Sequence, residues 1–150
     1  DSEGWSTGQA QLEDVALARV DGVRGMAFSG GEQVVLTVRA QAHAPLHSPI
    51  IGFFVKDRLG QSLFGHNTYD AANVRPVAQG ATLEARFIFH LPLLPDGEYS
   101  MTVAIADGDP DVHVQHHWLH DAALLSVRST RRRYGLVGIP FDSITLDVRD

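Results

Sequence analysis

Residues 50–68 read IIGFFVKDRLGQSLFGHNT, and this stretch restricts the fold more than any other. Ile50, Ile51, Phe53, Phe54 and Val55 form a dense apolar run. β-Branched and aromatic side chains pack well on a pleated surface, so the run predicts a buried strand. Lys56, Asp57 and Arg58 end it, and Gly60 supplies the backbone freedom of a turn. Gln61 to Phe64 make a second short strand, closed by Gly65 and then His66, Asn67 and Thr68. Strand, polar turn with glycine, strand is the pattern of a β-hairpin.

Much of the remaining chain keeps the same two-residue period. Val34, Leu36, Val38 and Ala40 alternate with Val35, Thr37, Arg39 and Gln41, a half-buried strand. From Ala81 to His90 the pattern places Leu83, Ala85, Phe87 and Phe89 inward, with Glu84, Arg86 and His90 outward. From Glu98 to Ala106, Tyr99, Met101, Val103 and Ile105 share one face; the other, Ser100, Thr102, Ala104 and Ala106, is uniformly small. Gln9 to Val20 changes phase near Glu13 and Asp14, which fits a strand with a bulge. A helix is the rival for that segment, because Leu12, Val15 and Ala16 also suit a helical face. Val112 to Arg128 reads as two strand pieces joined near Asp121. Residues 129–142 are a basic connection, and Ser143 to Val148 form a last strand with Ile144, Leu146 and Val148 inward. Residues 1–8 are a polar lead-in. Turn signals stand at Asp21-Gly22, Gly30-Gly31, Pro92 to Gly97 and Asp107 to Pro110. About eight or nine short strands separated by turns predict an all-β antiparallel sandwich or barrel, formed as a single domain over residues 1–150.

The 150 residues suffice for one domain with a core, and 44% hydrophobic with 20% charged residues is ordinary for a globular chain. The formal net charge of −6 argues against nucleic acid as a partner, which calls for a basic surface. Without cysteine there is neither a disulfide framework nor a thiolate zinc site, which fits a reducing compartment. No apolar run approaches the roughly 20 residues of a membrane span. The chain begins without Met, so it is expected to be a piece of something longer.

Gly52, Lys56, Asp57, Gly60, Gln61, Phe64, Gly65, Asn67 and Thr68 form the spacing G-x-x-x-K-D-x-x-G-Q-x-x-F-G-x-N-T. With Pro95-x-Gly97-x-Tyr99 and His117-Trp118-x-x-Asp121-Ala122, it resembles the C-terminal carbohydrate-binding domain of the ATP-binding subunit of O-antigen polysaccharide ABC exporters, the Wzt type. The resemblance covers the chain from about Gly8 onward. It implies an immunoglobulin-like or jelly-roll sandwich, following an ATPase domain and facing the cytoplasm at the inner membrane of a Gram-negative bacterium. It further implies recognition of the modified, capped end of an O-polysaccharide for export, with the ATPase and transmembrane subunits of the exporter as partners. The family's domains dimerise, so a homodimer is expected. A final strand after a long connection permits its exchange between protomers.

Four of the eight histidines crowd into His113-Val-Gln-His116-His117-Trp-Leu-His120. On a helix they would share a face and suggest a metal; on a strand His116, Trp118 and His120 face one way and His113, Gln115 and His117 the other. The strand reading disfavours a metal site. Trp118 is the candidate sugar platform, since an indole covers the apolar face of a sugar ring while neighbouring polar groups bind its hydroxyls; the competing reading places it in the core. The small face with Ser100 and Thr102 would leave a groove floor that Gly52 extends, with Arg86, His90, His116 and Trp118 as walls, provided these strands share a sheet. A covered sheet face is the bland alternative. His66 and Asn67 complete the candidate carbohydrate-binding set, although Asn67 and Thr68 also suit turn capping. Arg131, Arg132 and Arg133 are either a solvated connection or a grip for an anionic group. No phosphate-binding G-x-x-x-x-G-K-[ST] loop and no G-x-S-x-G elbow occur, so neither catalysis nor a cofactor is expected. The expected function is non-catalytic glycan binding; the alternative is a protein-docking or dimerisation sandwich without a sugar site.

Overall fold

The chain folds as two antiparallel layers closed over one core. The structure, a computed structural model, describes residues 4–22, 27–71, 74–108, 113–129 and 131–149, with Trp5 as backbone alone. Among these residues there are nine strands and no helix. They are β1 (Gly4–Ser6), β2 (Ala10–Arg19), β3 (Ala27–Phe28), β4 (Gln33–Ala42), β5 (Pro49–Lys56), β6 (Ser62–Asn67), β7 (Thr82–His90), β8 (Gly97–Gly108) and β9 (His113–Val127). The larger sheet runs β1-β9-β8-β5-β6, with β3 added parallel to the far end of β9; the smaller runs β2-β4-β7. The all-β sandwich expected from the alternation is the fold observed.

The core forms between Leu36, Val38 and Ala40 of one sheet and Val55, Met101, Val103 and Ile105 of the other, all completely buried. Beside it, Phe53 stacks near Phe89 with ring centroids 5.7 Å apart and meets Phe87 edge-on at 5.0 Å. Phe64 closes this cluster at 6.1 Å from Phe89. Offset and edge-to-face contacts of this kind stabilise by about 0.5–1.5 kcal/mol each beyond area burial.

The expected strand with a bulge at Glu13 and Asp14 is present: pairing with β4 slips between Leu12 and Asp14. The helix reading of this segment is set aside. Three expectations need correction. The lead-in contains β1, whose Gly4, Trp5 and Ser6 pair with Leu119, Trp118 and His117. The two pieces expected on either side of Asp121 are one strand, β9, in which Asp121 adopts φ 54° and the register to β8 shifts twice. The last strand does not form: residues 143–149 belong to no strand, and Ile144, Leu146 and Val148 are 84%, 89% and 80% exposed rather than inward. The turn expected at Asp107–Pro110 lies partly outside the described residues, which end at Gly108 and resume at His113.

The hairpin motif is explained residue by residue. Asp57 Oδ1 accepts the N–H groups of Leu59 and Gln61, each at 2.9 Å, and Gly60 takes φ 81°, where a side chain would be strained. At Gly65 a Cβ would lie 2.2 Å from the Phe53 carbonyl, so only glycine allows β6 to approach β5. Thr68 Oγ1 accepts the Ile51 N–H at 3.0 Å and Asn67 Oδ1 accepts the Tyr69 N–H at 2.9 Å, fastening the far end of the hairpin.

Candidate functional site: a groove on the outer face of the larger sheet

Strand alternation settles which side chains leave the core. On β8, Tyr99, Met101, Val103 and Ile105 point in, and Ser100, Thr102, Ala104 and Ala106 form the outer row, as the period-two pattern predicts. Opposite them on β5 stand Lys56, Phe54, Gly52 and Ile50, the direct partners of Ser100, Thr102, Ala104 and Ala106. On the next strand out, Gly65 and Asn67 of β6 pair with Phe54 and Gly52. On the other side of β8, Trp118 of β9 pairs with Ala104, and Gln115 with Ala106.

These rows enclose a groove of about 720 Å³. Its lining comprises Ile50, Gly52, Phe53, Phe54 and Lys56; Ser62, Gly65, His66 and Asn67; Thr102, Ala104 and Ala106; and His113, Gln115, Trp118 and His120. The shape follows from side-chain height. At the middle, Gly52 and Ala104 lie side by side and contribute almost nothing above the backbone, while Asn67 and Trp118 flank them. Strands about 4.8 Å apart place β6 and β9 roughly 14 Å from each other, and four rows along β5 extend for about 20 Å. A trench of this form accepts a narrow, linear molecule.

Trp118 is half-buried and faces the groove, 6.3 Å from the His120 ring. It is neither a core residue nor a fully exposed one. Thr102 Oγ1 and His120 Nδ1 are 3.2 Å apart, and Gln115 Nε2 lies 3.2 Å from His113 Nε2. His66 Nδ1 accepts the Asn67 N–H at 2.8 Å. The groove thus combines two aromatic walls, Phe54 and Trp118, with hydroxyl, amide and imidazole groups above an apolar floor. No Asp or Glu lines it.

Of the predicted residues, Trp118, Thr102, His66 and Asn67 meet here. Ser100 faces the same way, one row beyond Thr102 and opposite Lys56. His116 does not reach the groove: it is buried, with Nδ1 2.9 Å from Thr7 Oγ1. The reason is a bulge. His117 pairs with Ile105 and Gln115 with Ala106, which leaves His116 as an extra residue and reverses the phase of the strand. His113, Gln115, Trp118 and His120 therefore share the groove face, while His117 also turns inward and its Nδ1 accepts the Leu12 N–H at 2.8 Å. Burial pushes the His117 imidazole below its ordinary pKa. Arg86 and His90 belong to β7 in the other sheet, so the walls expected from them are absent. Arg131 reaches the Gly30 carbonyl, and none of Arg131, Arg132 and Arg133 lines the groove. Among the described residues no group of three His, Cys, Asp or Glu side chains is placed to hold a metal. Phe54, Ile50 and Gln115 went unassigned in the sequence, yet the alternation of β5 was sufficient to place the first two.

The architecture is shared with solved structures. A crystal structure of the C-terminal domain of wzt superposes with a TM-score of 0.84 at 18% identity, covering 97% of this chain and 89% of that one. A Niemann-Pick type C2 protein from Japanese carpenter ant matches with a TM-score of 0.59 at 9% identity, over 85% of this chain and 99% of that one. Both likenesses concern the fold. No curated protein matches by sequence. The family model of the Wzt C-terminal domain, by contrast, matches residues 1–139. The chain therefore belongs to the Wzt C-terminal domain family, the O-antigen-binding domain of the Wzt ABC-transporter ATPase.

Proposed function

We propose that the groove between β6 and β9 binds the modified end of an O-polysaccharide, non-covalently, and so licenses its export. The observation that carries this reading is the small floor of Gly52, Ala104 and Ala106 between Trp118 and Phe54. A sugar ring has an apolar C–H face and a rim of hydroxyls. Trp118 and Phe54 cover the first; Thr102, His66, Asn67, Gln115 and His120 bind the second. Contacts in an open, wet site are individually modest, so affinity for one end is weak to moderate. By family, the domain is non-catalytic and acts beside the ATPase and transmembrane subunits of its exporter, on the cytoplasmic side of a Gram-negative inner membrane.

The test is binding of the domain to its own host's O-polysaccharide, with and without the terminal modification. Binding confined to the modified polymer is expected. Trp118→Ala should weaken it about tenfold or more while the protein stays folded. Arg86→Ala, on the other sheet, should leave it intact. A folded domain that binds neither polymer would move the assignment to a protein-docking sandwich.

The tail supports a second element of the reading, a homodimer. Tyr134, Leu136, Phe141, Ile144, Leu146 and Val148 are all largely exposed, far more apolar surface than a lone segment keeps in water. Meanwhile the outer edge of β7 has no partner strand among the described residues, and Leu83, Phe87 and Phe89 behind it are only half-buried. The alternating face of Ile144, Leu146 and Val148 suits that edge in a second copy, as an exchanged strand. Two linked grooves would then raise the avidity for a polymer presented at a membrane.

A further inference from the structure

We infer that the groove selects a glycan end bearing an anionic substituent, a phosphate or a carboxylate, and that Lys56 is the residue that selects it. This rests on the glycan-binding reading above and specifies the ligand's charge. Lys56 is the only lysine in a chain that otherwise uses eleven arginines among its 12 basic residues. It lines the groove at the end of β5. Other members of the hairpin motif have a fastening role: Asp57 and Gly60 make the turn, Gly65 permits close approach, and Asn67 and Thr68 fix the end. Lys56 has none. Among the described residues its ammonium has no ion pair and no side-chain hydrogen bond.

Its surroundings extend the argument. The net charge of the chain is −6, yet no carboxylate lines the groove. An ammonium only donates, so the Lys56 end calls for an acceptor from the ligand. Ser62 and Ser100 are the direct strand partners of Lys56, and the Thr102–His120 pair stands in the next row. These groups donate to anionic oxygens as readily as to hydroxyls. The opposite end holds Ile50 and Ala106 with Gln115 and His113 beside them, and no lysine or arginine. Lys56 is the only Lys or Arg in the lining, which puts the substituent at its end and the sugar rings over Gly52 and Ala104 beside Trp118. The charge is partly solvated, so its contribution is screened by salt.

A single lysine permits a direct test. Reductive methylation with ¹³C-formaldehyde labels Lys56 and the chain's amino terminus and keeps both charges, and the Lys56→Arg variant identifies the Lys56 signal by its loss. Glucose, glucose 6-phosphate, glucuronate and inorganic phosphate are titrated against the labelled protein. The charged sugars should shift the Lys56 signal and bind about tenfold more tightly than glucose, less so as salt rises. A response to glucose 6-phosphate alone assigns a phosphate, and to glucuronate alone a carboxylate. In unlabelled protein, Lys56→Gln should remove the preference and Lys56→Arg should keep it. Equal binding of glucose and the charged sugars, or no response to a charged sugar at millimolar concentration, overturns the inference. Binding of the host polymer, measured separately, then decides whether the glycan reading itself stands.

Discussion

Gly52 and Ala104 lie side by side on the floor of the groove, and their lack of side-chain height is a testable cause of its depth. Ala104 points outward and is only half-buried, so a larger side chain there meets solvent rather than core. Ala104→Leu should leave stability within about 0.5 kcal/mol of the parent while lowering glycan affinity at least tenfold; calorimetric titration alongside thermal unfolding separates the two. His117 makes a different prediction. Its Nδ1 must accept the Leu12 N–H, so the imidazole is bound in its neutral form, and burial holds its pKa below the ordinary 6.5. The unfolded chain then binds the proton more readily than the folded one. This contribution is complete above pH 6.5 and is lost as pH falls through the depressed folded value. Denaturant midpoints measured downward from neutral pH should decline, and His117→Ala, less stable throughout, should show a flatter decline.

At the level of the element, the hairpin and β9 show why parts of the site were legible in the sequence and parts were not. Alternation on β5 and β8 identifies outward residues without any knowledge of partners, so the small row of Ser100, Thr102, Ala104 and Ala106 could be read directly. β9 defeats the same rule. Its extra residue at His116 moves everything beyond it to the opposite face, and nothing in the run from His113 to His120 marks where the insertion falls. Arg86 was misplaced for another reason: which strands share a sheet depends on long-range pairing that period-two patterning does not encode. The hairpin itself is locally determined, and its turn rests on Asp57. Asp57→Ala removes two acceptor contacts and should cost about 1–2 kcal/mol. Because β6 carries Gly65, His66 and Asn67 into the groove wall, faster amide exchange along Ser62–Asn67 should accompany weaker glycan binding. Unchanged exchange there would deny the turn its role.

For the whole molecule, the exposed tail and the β7 edge are the two features on which the proposed dimer rests. The sequence pattern of Ser143 to Val148 is that of a strand with an inward face, and the folded chain leaves that face in water. Under the proposed dimer, pattern and structure agree, because the alternating face would then be covered by another copy. A free β7 edge with half-covered Leu83, Phe87 and Phe89 behind it offers the place. Burying Ile144, Leu146 and Val148 contributes about 1.5–3 kcal/mol each, the same order as the entropy of fixing the tail's backbone, so the proposed exchange also draws on the hydrogen bonds of an added strand. The core cluster contains no residue after Val127 and residues 141–149 are all exposed, while Gly138 exchanges two backbone hydrogen bonds with Leu93. The proposed exchange predicts that the intact chain sediments as a dimer and that deleting Tyr134 to Asp150 yields a folded monomer, as judged by analytical ultracentrifugation over a range of concentrations. The intact chain should also unfold at a temperature that rises with concentration, and the truncated chain should not. A truncated chain that still sediments as a folded dimer would remove the exchanged strand from the assembly and place the interface on the sandwich itself.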